Sequence, residues 1–226
     1  MPILYNAIVG IGELVYIFAI TIAMDALASR KLISNATARK VIHLWMGGLI
    51  VFWFLFSSQY AQLIFSIPIL IFIIVMLSAI SGRGPHAPKV LQFALADDPH
   101  EIAYGPLIFM AMFIFFTVFA FKSVAGIAAL CVVVFGDGIA PIAGKHACVH
   151  YANKRKSAEG SIGFFIASLL SIFIFTTILV PGSFTVRVSR IAVLASVIGT
   201  IAEGVTPGKF DNLTVPILVW LIFLLV

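Results

Sequence analysis

Charge is what this sequence has least of: Asp, Glu, Lys and Arg together fill 10% of its 226 positions, against about a quarter in soluble domains. With 62% hydrophobic residues and a mean hydropathy of +1.16, that scarcity excludes a soluble globular fold, which has no surface on which to place so much apolar area. Cysteine is nearly missing too. Cys131 lies in an apolar run and Cys148 in a basic loop, and two residues so placed exclude a disulfide framework. There is no internal repeat and no low-complexity tract. The longest polar stretches, 81–103 and 145–161, are too short to fold alone.

What is present is a series of apolar runs near the ~20 residues that a helix needs to cross a bilayer. They recur along the whole chain, so they read as spans and not as a cleaved signal. Eight are predicted, at 4–28, 42–57, 60–80, 104–121, 123–144, 160–180, 187–203 and 212–226. The second, seventh and last are short for a crossing, and one re-entrant helix among them leaves seven. The expected fold is an all-α polytopic transmembrane bundle forming a single integral membrane domain over residues 1–226.

With eight spans, one side of the membrane receives Arg30, Lys31, Arg39, Lys40, Arg83, Lys89, Lys145, Lys154, Arg155, Lys156 and Lys209, and the other only Lys122, Arg187 and Arg190. The positive-inside rule makes the richer side cytoplasmic. The same loops and their flanks carry Asp97, Asp98, Glu101, Asp137, Glu159, Glu203 and Asp211, so the chemistry is expected at that cytoplasmic face. A net charge of +5 and a pI near 9.4 raise the question of nucleic acid. Cations scattered among short loops beside apolar spans fit lipid headgroups or phosphates better, and no nucleic-acid partner is expected. The stretch 81–103 contains Pro85, Pro88 and Pro99 and is expected to be a loop, with a short surface helix around Lys89–Leu95 and a role as a lid.

The sharpest local feature is Phe135-Gly136-Asp137-Gly138 in an otherwise apolar run, followed by Pro141 and Gly144-Lys145. A carboxylate at membrane depth is costly unless paired, hydrated or metal-bound, which makes Asp137 a functional candidate. Its flanking glycines allow close approach by backbone or phosphate. The plainer reading is a helix-breaking bend with Asp137 as a cap. Gly138 to Lys145 is no P-loop, because the spacing is wrong and His146 stands where Ser or Thr is needed. His146, Cys148 and His150 make a weak zinc signal without a fourth ligand.

Lys154 to Ser161 precedes an apolar run. Ser157 is placed to cap the next helix, and Lys156, Glu159, Gly160 and Ser161 surround a helix N-terminus suited to phosphate. A cationic membrane anchor with a cap is the alternative. Glu203-Gly204 and Asp211-Asn212 repeat the combination of acid, glycine and amide at the same face, and their hard oxygens suit Mg²⁺, or an ordinary Asx turn. Arg39, Lys40 and His43 open the second span, where they either hold a phosphate or snorkel. Glu13, inside the first span, has no partner that the sequence names.

Taken in order, Arg39-Lys40-x-x-His43, Tyr104-Gly105-Pro106-Leu107, Gly136-Asp137-Gly138-x-Ala140, Lys156-Ser157-x-Glu159-Gly160-Ser161, Glu203 and Asp211-Asn212-x-x-Val215-Pro216 resemble the polyprenol kinase family. That family comprises dolichol kinases, phytol kinases and CTP-dependent diacylglycerol kinases, and the resemblance covers residues 39–216. It departs at Gly138, where the pattern has alanine, and in 146–153, which lacks a further glycine. The resemblance implies a membrane enzyme that moves the γ-phosphate of CTP, with a divalent cation, onto the hydroxyl of a polyprenol, another isoprenoid alcohol or diacylglycerol. On that reading Asp137 and Glu159 are catalytic, and Asp137, Asp211 and Glu203 bind Mg²⁺. Arg39, Lys40, His43, Gly136, Gly138, Lys145, Lys156, Ser157, Gly160, Ser161 and Asn212 hold nucleotide and phosphate. Phosphoryl transfer needs mainly positioning and charge neutralisation, which these residue types supply. A cytidylyltransferase making a CDP-activated lipid is the nearest alternative, but its lysine-aspartate and proline-glycine-histidine-glycine-glycine run is missing. A transporter is the alternative of another class, and it lacks the expected inverted repeat.

Overall fold

The computed structural model describes residues 2–57, 60–80, 99–151, 156–183, 185–207 and 210–226. The chain divides into two compact units, Met1–Val118 and Phe119–Val226.

In the first unit, α1 (Pro2–Ser29) sorts its residues by helical period. Asn6, Glu13, Ile17, Thr21 and Ala28 form a buried seam, while Ile3, Ile8, Ile11, Val15 and Ile22 stay exposed and suit lipid contact. Both carboxylate oxygens of Glu13 are buried, with no hydrogen-bond partner among the described residues. α2 (Asn35–Trp45) and α3 (Gly48–Leu55) together make one segment long enough to cross, so the second span is not short as predicted. It begins at Asn35 because the Ser34 hydroxyl accepts from the Thr37 N–H at 3.1 Å, satisfying an otherwise orphaned donor. At the joint, the Tyr16 hydroxyl donates to the Trp45 carbonyl and occupies the place where a Cβ on residue 48 would sit, so a larger residue there would displace the Tyr16 ring. α4 (Ala61–Ile80) and α5 (Pro99–Phe119) complete the unit, with only the last residue of α5 beyond its boundary. Trp53, Phe65, Phe113 and Phe116 fill its core, and the Trp53 indole donates to the Thr117 hydroxyl at 3.0 Å. α5 starts at Pro99, earlier than predicted, since a proline in the first turn loses no hydrogen bond. The predicted lid and surface helix fall largely in 81–98, outside the described residues.

The second unit is built round α6 (Val124–Cys131). α6 runs through a π-helical turn, Val132–Gly136, into α7 (Asp137–Ala143) and a 3₁₀ turn, Gly144–His146. This segment is 72% buried, against 22–39% for the other candidate spans, which makes it the central helix. α8 (Ala158–Leu179) and α10 (Asp211–Leu225) pack against it, and α9 (Val186–Val205) packs against both of them. A two-residue antiparallel pair, β1 (His150–Tyr151) and β2 (Lys156–Ser157), leads into α8.

Six helical segments among the described residues are long and apolar enough to cross a membrane, and two shorter apolar helices, Gly105–Phe119 and Asp211–Leu225, accompany them. This is a multi-pass membrane protein of helical architecture, and the two shorter helices bring the count to the predicted eight. α9, at 20 residues, is longer than expected, and α10 stays short.

Candidate functional site

The acidic residues of the second unit and Lys156 gather at one end of its bundle, and the local sequence explains how each arrives there. Ser157 has extended backbone, and its hydroxyl accepts from the Gly160 N–H at 3.1 Å, so it caps α8 as predicted. Lys156 therefore stands just ahead of a fixed helix start, held in β2 opposite Tyr151. Its ammonium donates to Oε1 of Glu203, a buried residue near the end of α9. It also lies 3.6 Å from Oδ2 of Asp211, the first residue of α10, whose other oxygen accepts from the Asn212 N–H at 2.8 Å. Asp137 opens α7, half-buried, near enough for its charge to act on Lys156. Burial opposes the charge of Lys156. The hydrogen bond and charge of Glu203, with the charges of Asp211 and Asp137, outweigh that and hold the ammonium above the ordinary lysine range.

Among the described residues one lysine thus faces three carboxylates, a balance that suits an arriving cation. Among the described residues no three His, Cys, Asp or Glu side chains gather closely enough to hold a metal ion by themselves, and His146, Cys148 and His150 form no zinc site. Mg²⁺ does not need such a cage, since it commonly takes one or two carboxylates and completes its shell with water and substrate phosphates. The all-oxygen donor set of Asp137, Asp211 and Glu203 fits that habit.

Glu159 makes a contact of its own. Its Oε1 accepts from the Cys148 N–H at 2.7 Å, tying the loop before β1 to the start of α8, and it is not among the acids acting on Lys156. The close approach expected at the glycines does occur, but the approaching group is the neighbouring helix. A Cβ on Gly136 would run into the Ser168 hydroxyl and the Phe164 ring, and one on Gly160 would lie 3.1 Å from the Ala140 carbonyl. Gly138 is buried in α7. Lys145 is exposed on the 3₁₀ turn, and the Ser161 hydroxyl meets that of Tyr151 at 2.5 Å. Arg39, Lys40 and His43 belong to the first unit, half-buried within α2, where the His43 ring packs on Phe109 with centroids 4.3 Å apart. Lys154, Arg155 and Lys209 fall outside the described residues.

Two features escaped the sequence reading. One is the Lys156–Glu203 ion pair, whose members were expected in separate phosphate and metal roles. The other is Tyr151, whose hydroxyl lies 3.0 Å from where a Cβ on Gly204 would be, so that its ring rests on the turn carrying Glu203. The glycine directly after Glu203 was the one available signal.

The chain is 30% identical over 208 residues to the probable phytol kinase 2, chloroplastic, of Oryza sativa subsp. japonica, covering 88% of this chain and 68% of that protein. Phytol kinase 1, chloroplastic, of Arabidopsis thaliana is 27% identical over 88% of this chain and 69% of its own length. The probable phytol kinase 1, chloroplastic, of Glycine max is 28% identical over 95% and 75%. No family model matches the chain, and no solved structure does.

Proposed function

We propose that this chain, which belongs to the polyprenol and phytol kinase family, transfers the γ-phosphate of CTP to the hydroxyl of a long-chain isoprenoid alcohol held in the membrane. It is a kinase, a phosphotransferase acting on a lipid alcohol. The observation that carries the finer reading is the convergence of Lys156, Glu203, Asp211 and Asp137 at the end of an apolar bundle. Phosphoryl transfer asks a protein chiefly to position its reactants and neutralise charge, and this set offers, among the described residues, one cation and a surplus of carboxylates. The exposed Ile142, Ile162 and Phe210 stand next to it along the chain, which supports a substrate whose chain stays in lipid while its hydroxyl reaches the acids.

In this reading Lys156 turns from Glu203 and Asp211 to the phosphates of the nucleotide. The alcohol oxygen attacks the γ-phosphorus, the bond to the bridging oxygen breaks, CDP leaves, and the hydroxyl proton passes to the Asp137 carboxylate. Asp211 and Asn212, with Glu203, would hold Mg²⁺, which when bound supplies neutralisation of the phosphate charge. Glu159, through Cys148, positions the segment that carries Lys156. The excess of lysine and arginine on the side of the site supports a cytoplasmic face.

The test is purified protein in bilayer discs with CTP, UTP or ATP labelled at the γ- or α-phosphate and phytol, geranylgeraniol, dolichol or diacylglycerol as acceptor. Label from γ-CTP in an isoprenyl monophosphate is expected. Label from the α-position with release of pyrophosphate would show a cytidylyltransferase and refute the proposal.

A further inference from the structure

At the opposite end of the second unit from Lys156 lies a cavity of about 490 Å³, lined by Val186, Arg187, Arg190, Ile191, Leu194 and Val226. Arg187 and Arg190 are three residues apart on α9 and share one face. They precede Glu203 by sixteen and thirteen residues, which at 1.5 Å per residue is about 24 and 20 Å along the helix. They therefore stand near the other boundary of a hydrocarbon layer about 30 Å thick. Arg187 is tied down, donating to a main-chain oxygen of Val226 at 2.7 Å. Arg190 is exposed, and the first turn of α9 carries no acid. Beside these guanidinium groups the wall is apolar, with Val186 and Leu194 well exposed.

We propose that this cavity binds an anionic phospholipid of the leaflet facing away from the kinase site. The planar fork of Arg190 matches a phosphodiester, with Arg187 reinforcing the field, while Ile191 and Leu194 line the path of an acyl chain down α9. The apolar lining favours a lipid over a soluble phosphate. Two adjacent arginines favour a headgroup without a cation of its own, so phosphatidylglycerol is preferred to phosphatidylcholine. A basic pair on the cation-poor side of the chain thereby acquires a role that phosphoryl transfer does not use.

The experiment is native mass spectrometry of the full chain equilibrated with phosphatidylglycerol or phosphatidylcholine. Retention of phosphatidylglycerol at least about fivefold above phosphatidylcholine is expected. Arg190→Gln should bring the ratio near one, and Arg190→Lys should keep most of it, with kinase turnover in phosphatidylcholine discs unchanged in both. Leu194→Trp, which fills the cavity and leaves both arginines, should lower lipid retention as well. Equal retention of the two lipids by the unaltered chain, an undiminished preference in Arg190→Gln, displacement of the lipid by millimolar inorganic phosphate, or a lipid-free dimer seated on this face would each overturn the proposal.

Discussion

Replacing Lys156 with methionine keeps most of the length of the side chain and removes the one cation that the described residues place among Glu203, Asp211 and Asp137. At 3.6 Å from Asp211, an effective dielectric near 20 gives a Coulomb attraction of about 4–5 kcal/mol, and Glu203 is nearer still. Hydration lost by the three partners takes much of this back. Breaking one side of a buried pair nevertheless costs about 3–5 kcal/mol because the acids are left unpaired. The lysine side chain retains 18% of its exposure, which places the expected loss nearer 2–3 kcal/mol. Glu203→Gln removes one of the stranded acids, so the double variant should be more stable than the sum of the single losses predicts, by about 1–3 kcal/mol. Reversible unfolding in mixed micelles with increasing dodecyl sulfate, followed by tryptophan fluorescence, measures all four proteins. Strict additivity within about 0.5 kcal/mol would refute the coupling. In turnover, Lys156→Met should raise KM for the nucleotide about tenfold or more with little change in KM for the alcohol, and equal effects on both would contradict a phosphate contact.

Asp137→Asn should lower kcat by about 10²-fold or more while the protein still inserts and purifies; near-normal turnover would remove Asp137 from proton transfer. Ser157→Ala deletes the cap of α8 and should cost about 1 kcal/mol, read as faster hydrogen exchange at the Gly160 amide. Gly136→Ala forces a methyl against Ser168 and Phe164 and should destabilise by about 1–3 kcal/mol, with partial recovery on adding Phe164→Leu. The raised pKa of Lys156 implies a stabilising charge that is fully present below about pH 10.4 and lost as pH rises through the folded value. Alkaline unfolding above that point should therefore be steeper in the unaltered protein than in Lys156→Met.

The spans were legible because a bilayer imposes a length and a polarity that short windows of sequence display directly. Ser157 was legible as a cap for a similar reason: its partner, the Gly160 N–H, is only three residues away. The start of α2 was missed because Asn35 to Lys40 is too polar to read as a span, although its helix needs only Ser34 to begin. The pairing of Lys156 with Glu203 joins residues 47 apart, and nothing periodic connects them. The β1–β2 pair is two residues long on each side, below the length at which alternation can be seen. The glycines round Asp137 were recognised as places of close approach. That the approach would be made by α8 depends on tertiary packing that local sequence does not encode.

The π-helical turn from Val132 to Gly136 makes the aim of Asp137 a matter of counting. Each residue of an α-helix turns the chain by about 100°, and a π turn accommodates one residue more than the regular helix would carry between the same ends. Everything after it is set by that extra residue. A variant lacking one valine of Val132-Val133-Val134 has nearly the same hydropathy and still spans the membrane. If its helix closes up as regular α, the same ends are joined by one residue fewer and Asp137 keeps its aim at Lys156, whereas the full sequence wound as regular α would swing that carboxylate more than a quarter turn away. Two relatives of identical length through this segment, one with the π turn and one wound as regular α, would thus differ in whether Asp137 faces Lys156 at all.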